Sequence, residues 1–109
     1  MIVRIDARRL TDAAGLHAAM SEAFGFPATY GKNLDALIDC LTHLDDPKAA
    51  MSRVQVFPGQ LVLLVLEHAE GKGKQAAQVK ALVDAVAFVN WRRFEQGEPP
   101  VVAVAYEQG

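Results

Sequence analysis

Apolar residues recur at helical spacing in three stretches of this chain, and in alternation or unbroken runs in four others. Leu34, Leu37, Ile38 and Leu41 fall at i, i+3, i+4 and i+7, one stripe of a helix that Asn33 can N-cap and that ends near His43 or Leu44. An earlier helix carries Leu16, Met20, Ala23 and Phe24. Thr11 or Asp12 offers its N-cap, Gly25 ends it, and Pro27 prevents a restart. Gly15 sits inside it at some cost in helix propensity. From about Lys74 to Gln96, Val79, Leu82, Val83, Val86 and Val89 line one side of a long helix, stopped by Gly97 and Pro99-Pro100.

The remaining apolar segments read as strands. Ile2 to Asp6 is short and β-rich, and Val101 to Tyr106 is apolar throughout. Leu61 to Leu66 is apolar without alternation, which predicts a central strand covered on both faces. Arg53 to Phe57 alternates and meets the next run across Pro58-Gly59, type II turn chemistry that splays its flanking strands. Asp46-Pro47 can open a single helical turn. The order strand, two helices, strand, helix, strand requires crossover connections. It predicts one α/β domain over residues 1–109: a small, mainly parallel three-stranded sheet with packed helices, and room for an extra antiparallel strand near 47–60.

With 109 residues and 51% hydrophobic composition, the chain has material for one modest core. The net charge of −2 does not suggest a nucleic-acid or membrane binder, but its distribution is uneven. Residues 22–46 hold five acids (Glu22, Asp35, Asp39, Asp45, Asp46) against Lys32 alone, or −4, leaving eight acids and ten bases elsewhere, or +2. Cys40, the single cysteine, cannot form an internal disulfide and suits a reducing compartment. No charged segment leads into a long apolar run, and Leu61 to Leu66 is too short to span a bilayer, so the chain reads as cytoplasmic.

Asp35 and Asp39 stand one turn apart on the second helix, where like charges repel by a few tenths of a kcal/mol. The helix dipole favours Asp35, near the N-terminal end, more than Asp39. A solvated face would explain such a pair without any function.

The string Tyr30-Gly31-Lys32-Asn33-Leu34-Asp35-Ala36-Leu37-Ile38-Asp39-Cys40-Leu41-Thr42 resembles the signature of the barstar family, intracellular inhibitors of ribonucleases such as barnase. Leu16-His17 resembles a pair common in that family. The similarity is clear from Ile2 to Leu44, then follows by order of elements to Tyr106 with roughly Pro47 to Gln60 inserted. The resemblance implies a fold of three parallel strands with helices. It also implies that Asp39 enters the nuclease cleft as a phosphate mimic with Asp35 beside it. Gly31, Asn33, Leu34 and Thr42 would frame that contact, with Tyr30, Ile38, His43 and Leu44 at the rim. Thr29 and Ile38 stand where the prototype has tyrosine and tryptophan, so two aromatic anchors of the hot-spot type are missing.

Other candidates are weaker. Asp35, Asp39 and His43 share a helix, but no further ligand cluster points to a metal, and no cofactor is expected. The spacing of Gly71-Lys72-Gly73-Lys74 does not make a phosphate-binding loop. Ser21 and Ser52 lack a nucleophile elbow. Asp39 beside Cys40 opposes thiolate formation. His17 reads as a boundary or capping residue. In Asn90-Trp91-Arg92-Arg93-Phe94 the expectation is that Trp91 and Phe94 pack while both arginines reach solvent. The leading expectation is a non-enzymatic inhibitor of a barnase-like ribonuclease or related nuclease toxin. The alternative is a regulatory protein- or RNA-interaction module using the acidic helix or the Trp91 to Arg93 stretch.

Overall fold

A computed structural model describes residues 1–108; Gly109 lies outside them. Strand β1 (Ile2–Asp6) leads through a 3-10 turn (Ala7–Arg9) into α1 (Ala13–Phe24) and α2 (Leu34–Thr42). A second 3-10 turn (Pro47–Ala49) precedes β2 (Val62–Glu67), α3 (Lys74–Glu95) and β3 (Val102–Glu107). The strands lie in the order β1-β2-β3, all parallel, with Val3, Leu64 and Val104 in one row and Ile5, Leu66 and Tyr106 in the next. The fold is the expected α/β arrangement.

Local chemistry explains the boundaries. Asp12 accepts the Gly15 N–H at 2.7 Å to start α1, and Gly25, at φ +68°, ends it in the left-handed conformation. Asp46 accepts the Lys48 N–H to start the turn at Pro47. Gly97, at φ +76°, follows the end of α3.

Val3, Ile5, Val62, Leu64, Leu66 and Val102 are buried in the core with Leu16, Met20, Phe24, Leu37, Leu41, Leu44, Leu82, Val86 and Val89. The opposite sheet face departs from the expectation of cover on both sides. Ile2 is 57% exposed there, Leu63, Ala103 and Ala105 are half-buried, and Arg4 lies over the strands to reach Glu107 at 3.1 Å and Glu67 at 3.6 Å. The near-continuous apolar run of β2 therefore marks a central strand without two layers of helix.

The extra antiparallel strand near 47–60 does not form. Pro58-Gly59 makes its turn, but the backbone before it is already committed elsewhere. The Arg53 and Val54 N–H groups donate to the Phe24 carbonyl, and Arg53 N–H also reaches that of Gly25. Ser52 Oγ donates to the same Phe24 carbonyl at 2.7 Å, and Val56 N–H donates to the Leu44 carbonyl at 3.0 Å. Carbonyls left unsatisfied at the end of α1 and beyond α2 thus take the donors that a hairpin would have used.

Candidate functional site

The chain enters α2 through a loop pinned from below. Tyr30 is 8% exposed, its ring 4.8 Å from that of Phe26, and its hydroxyl lies 2.6 Å from Nδ1 of buried His17. Burial raises the Tyr30 phenol to about 12 and lowers the His17 imidazole, so both stay neutral at physiological pH. His17 is thus an interior hydrogen-bonding partner rather than a boundary residue. Lys32 takes a positive φ of 55°, and Asn33 Oδ1 then accepts the Ala36 N–H at 2.8 Å to cap α2.

From that fixed start the helix faces sort themselves. Leu37, Cys40 and Leu41 turn inward, Ile38 is half-buried, and Leu34, the first member of the stripe, is 42% exposed. Asp35 and Asp39 are exposed one turn apart, as the spacing requires. Gly31 and Asn33 are exposed beside them, and Thr42 and His43 are half-buried. Thr42 Oγ1 donates to the Ile38 carbonyl at 2.6 Å. His43 Nδ1 lies 2.8 Å from the Asp39 carbonyl and 3.6 Å from the Asp39 carboxylate. The Cys40 thiol is pushed up by burial and then by Asp39, which keeps it protonated. Tyr30 and Leu44 are not at a surface rim. Leu44 is fully buried, and both residues support the helix from beneath.

The acidity of residues 22–46 is not uniform in space. Glu22 is paired with Arg9 at 2.7 Å, and Asp45 with Arg93 at 2.6 Å. Among the described residues, Asp35 has no ion pair, and Asp39 has only the long contact to His43. Asp35 and Asp39 stand open on α2, and Asp46, also exposed, accepts the Lys48 N–H. Asp35 and Asp39 also line a shallow groove with Ala36, Ile38, Phe88 and Arg92, which joins α2 to α3.

The stretch from Asn90 to Phe94 is reversed from its expected arrangement. Trp91 and Phe94 are 57% and 70% exposed, whereas Arg93 is 3% exposed. Arg93 Nη1 donates to the Thr42 carbonyl at 3.0 Å and to Asp45 Oδ1 at 3.1 Å, Nη2 to Asp45 Oδ2 at 2.6 Å, and Nε to the Pro99 carbonyl at 2.8 Å. The guanidinium satisfies the C-terminal end of α2 and balances its dipole. Only Arg92 of the pair faces solvent, and the predicted double-cation surface does not exist.

Among the described residues, no three His, Cys, Asp or Glu side chains gather as a metal site, and no helix is long and apolar enough to cross a membrane. No curated protein matches the chain at a significant level. The sequence model of Barstar (barnase inhibitor) matches residues 1–105. That match runs through the capped acidic helix and all three parallel strands, and the chain belongs to the barstar family.

Proposed function

We propose that this protein is an intracellular, non-enzymatic inhibitor of a barnase-like ribonuclease. The observation that carries the reading is the pair Asp35 and Asp39, exposed and free of strong ion pairs on a short helix capped at Asn33 and anchored at its other end by Arg93. A nuclease cleft must hold a phosphodiester and is therefore cationic. Two carboxylates on a rigid support can occupy it with little ordering cost. In this reading Asp39 takes the phosphate position with Asp35 beside it, and Gly31, Asn33, Leu34, Ile38, Thr42 and His43 surround the contact. Tyr30 and Leu44 act from below by fixing the helix.

Titration of purified barnase and related ribonucleases with the protein should abolish RNA cleavage at one equivalent, and Asp39→Ala should lose most of that inhibition while unfolding normally in urea. Truncating one member of a desolvated charge pair typically costs roughly 2–5 kcal/mol. Failure of the unmodified protein to inhibit any ribonuclease of this class would overturn the proposal, and so would an Asp39→Ala variant that inhibits within threefold of it.

A further inference from the structure

A cleft of about 760 Å³ lies between Asp45 and the turn at Pro58-Gly59, within the roughly 300–1,000 Å³ of small-molecule sites. Val56, Phe57 and Pro58 give it apolar wall, and its polar groups are Asp45, Gln55 and Gln60. The chain around it is fixed in advance. Val56 N–H donates to the Leu44 carbonyl at 3.0 Å. Phe57 N–H donates to Gln60 Oε1 at 3.2 Å, and Gln60 N–H to the Phe57 carbonyl at 3.0 Å. A ligand entering here therefore orders little backbone. The Phe57 side chain is 76% exposed, a large aromatic that the core does not use.

We propose that this cleft binds a neutral small molecule with a flat apolar body and an N–H donor. The polar groups specify that chemistry. Asp45 accepts from Arg93 at 3.1 and 2.6 Å, once on each oxygen, which leaves acceptor capacity on both. Gln55 donates to the Ser52 carbonyl at 3.2 Å, so its own carbonyl oxygen is a further acceptor. Gln60 gives its oxygen to Phe57, and its amide nitrogen is the one donor of the three. Acceptors dominate, so the ligand must donate. Its charge follows from Arg93, which already balances Asp45. The site thus offers no counter-charge to an anion and little to a cation. Phe57 and Pro58 favour a flat ring against them. The site is separate from the acidic helix, since none of its residues lines the groove of Asp35 and Asp39, and it does not depend on the inhibitor reading.

The experiment uses N-phenyl-1-naphthylamine, a neutral dye with flat apolar rings joined by one N–H, whose emission rises in an apolar site. Titrated into the full chain, it should bind saturably at one equivalent and shift the amide NMR signals of Asp45, Val56, Phe57 and Gln60. Phe57→Ala should weaken binding at least fivefold with its urea midpoint retained, because the position is exposed. The N-methyl analogue of the dye, which lacks the donor, should also bind at least fivefold more weakly. Trp91→Ala, which removes an exposed aromatic on α3, should leave binding unchanged. Absence of saturable binding overturns the site, and so does binding that Trp91→Ala removes or that Phe57→Ala leaves within fivefold. An N-methyl analogue that binds within fivefold of the dye overturns the assigned ligand chemistry. A concentration-dependent dimer in sedimentation that Phe57→Ala dissolves would give the cleft to a second copy of this chain and overturn the proposal.

Discussion

Arg93 and Asp45, 48 residues apart in the chain, form a forked ion pair with N–O distances of 3.1 and 2.6 Å and an arginine side chain only 3% exposed. The same guanidinium holds the Thr42 and Pro99 carbonyls, so one side chain ties α3 to the end of the acidic helix and to the segment entering β3. Removing one partner of a buried pair leaves an uncompensated charge or orphaned acceptors, typically at 3–5 kcal/mol. Arg93→Ala should therefore destabilise by about 3–5 kcal/mol. Asp45→Asn should cost less, because the two carbonyls and Glu98, at 3.3 Å, still face the cation. Urea unfolding of both single variants and the double variant tests the coupling; purely additive losses would show that the pair is not a unit.

Gly15 offers a test of opposite sign to its helix propensity. Glycine to alanine in an exposed helix interior gains up to about 1 kcal/mol. Here a Cβ would run into the Arg9 carbonyl oxygen, a backbone atom that cannot swing aside. Gly15→Ala should lose about 1–3 kcal/mol, the usual cost of overpacking. A rise in the urea midpoint would show that the 3-10 turn at Ala7–Arg9 can move.

The elements of this fold were readable where local chemistry decides them. Asn33, Asp12, Gly25, Asp46 and Gly97 each perform the capping or stopping role that their residue type suggests. Asp35 and Asp39 were legible as a pair because helical spacing alone puts them on one face. The second sheet position was misread because Arg53 to Phe57 alternates like a strand, while its donors answer to carbonyls near the ends of α1 and α2. Those acceptors are distant in sequence and invisible to a local pattern. Arg93 was misread by residue type. It lies four residues beyond Val89 and seven beyond Val86, in phase with the buried stripe, while Trp91 and Phe94 are out of phase. Helical phase contained that signal, but the acceptor that makes a buried arginine tolerable, Asp45, could come only from the tertiary fold.

The His17–Tyr30 contact gives stability a limit at each end of the pH scale. Burial lowers the His17 imidazole from its ordinary 6.5, so the unfolded chain binds this proton more readily than the folded one. Its stability contribution is complete above about pH 6.5 and is lost as the pH falls toward the depressed folded value. For Tyr30 the folded phenol, at about 12, keeps a proton that the unfolded chain releases near 10.0. That contribution is complete below pH 10 and is lost as the pH rises toward 12. Urea midpoints should therefore decline from pH 7 to 5 in the parent, and less steeply in His17→Gln. Tyr30→Phe should remove part of the alkaline loss, and Cys40, whose thiol is also raised, contributes to what remains. An unchanged parent midpoint between pH 7 and 5 would mean that His17 can take up its proton without disturbing the loop.

Association with the ribonuclease should be steered by Asp35 and Asp39 rather than by the whole acidic stretch. The formal −4 of residues 22–46 overstates the field, because Arg9 already balances Glu22 at 2.7 Å and Arg93 balances Asp45 at 2.6 Å. What remains open to an approaching cation lies mainly on α2. The Debye length shortens from about 30 Å at 0.01 M salt to about 8 Å at 0.15 M, so long-range attraction is largely screened over that range. Stopped-flow association with barnase should slow by about tenfold or more across it. At low salt, Asp35→Asn and Asp39→Asn should each reduce the on-rate. Glu22→Gln should reduce it little and should release Arg9 as a free cation. If Glu22→Gln slows association as much as Asp35→Asn, the distributed charge of this half of the chain does the steering, and the two α2 carboxylates matter only after contact.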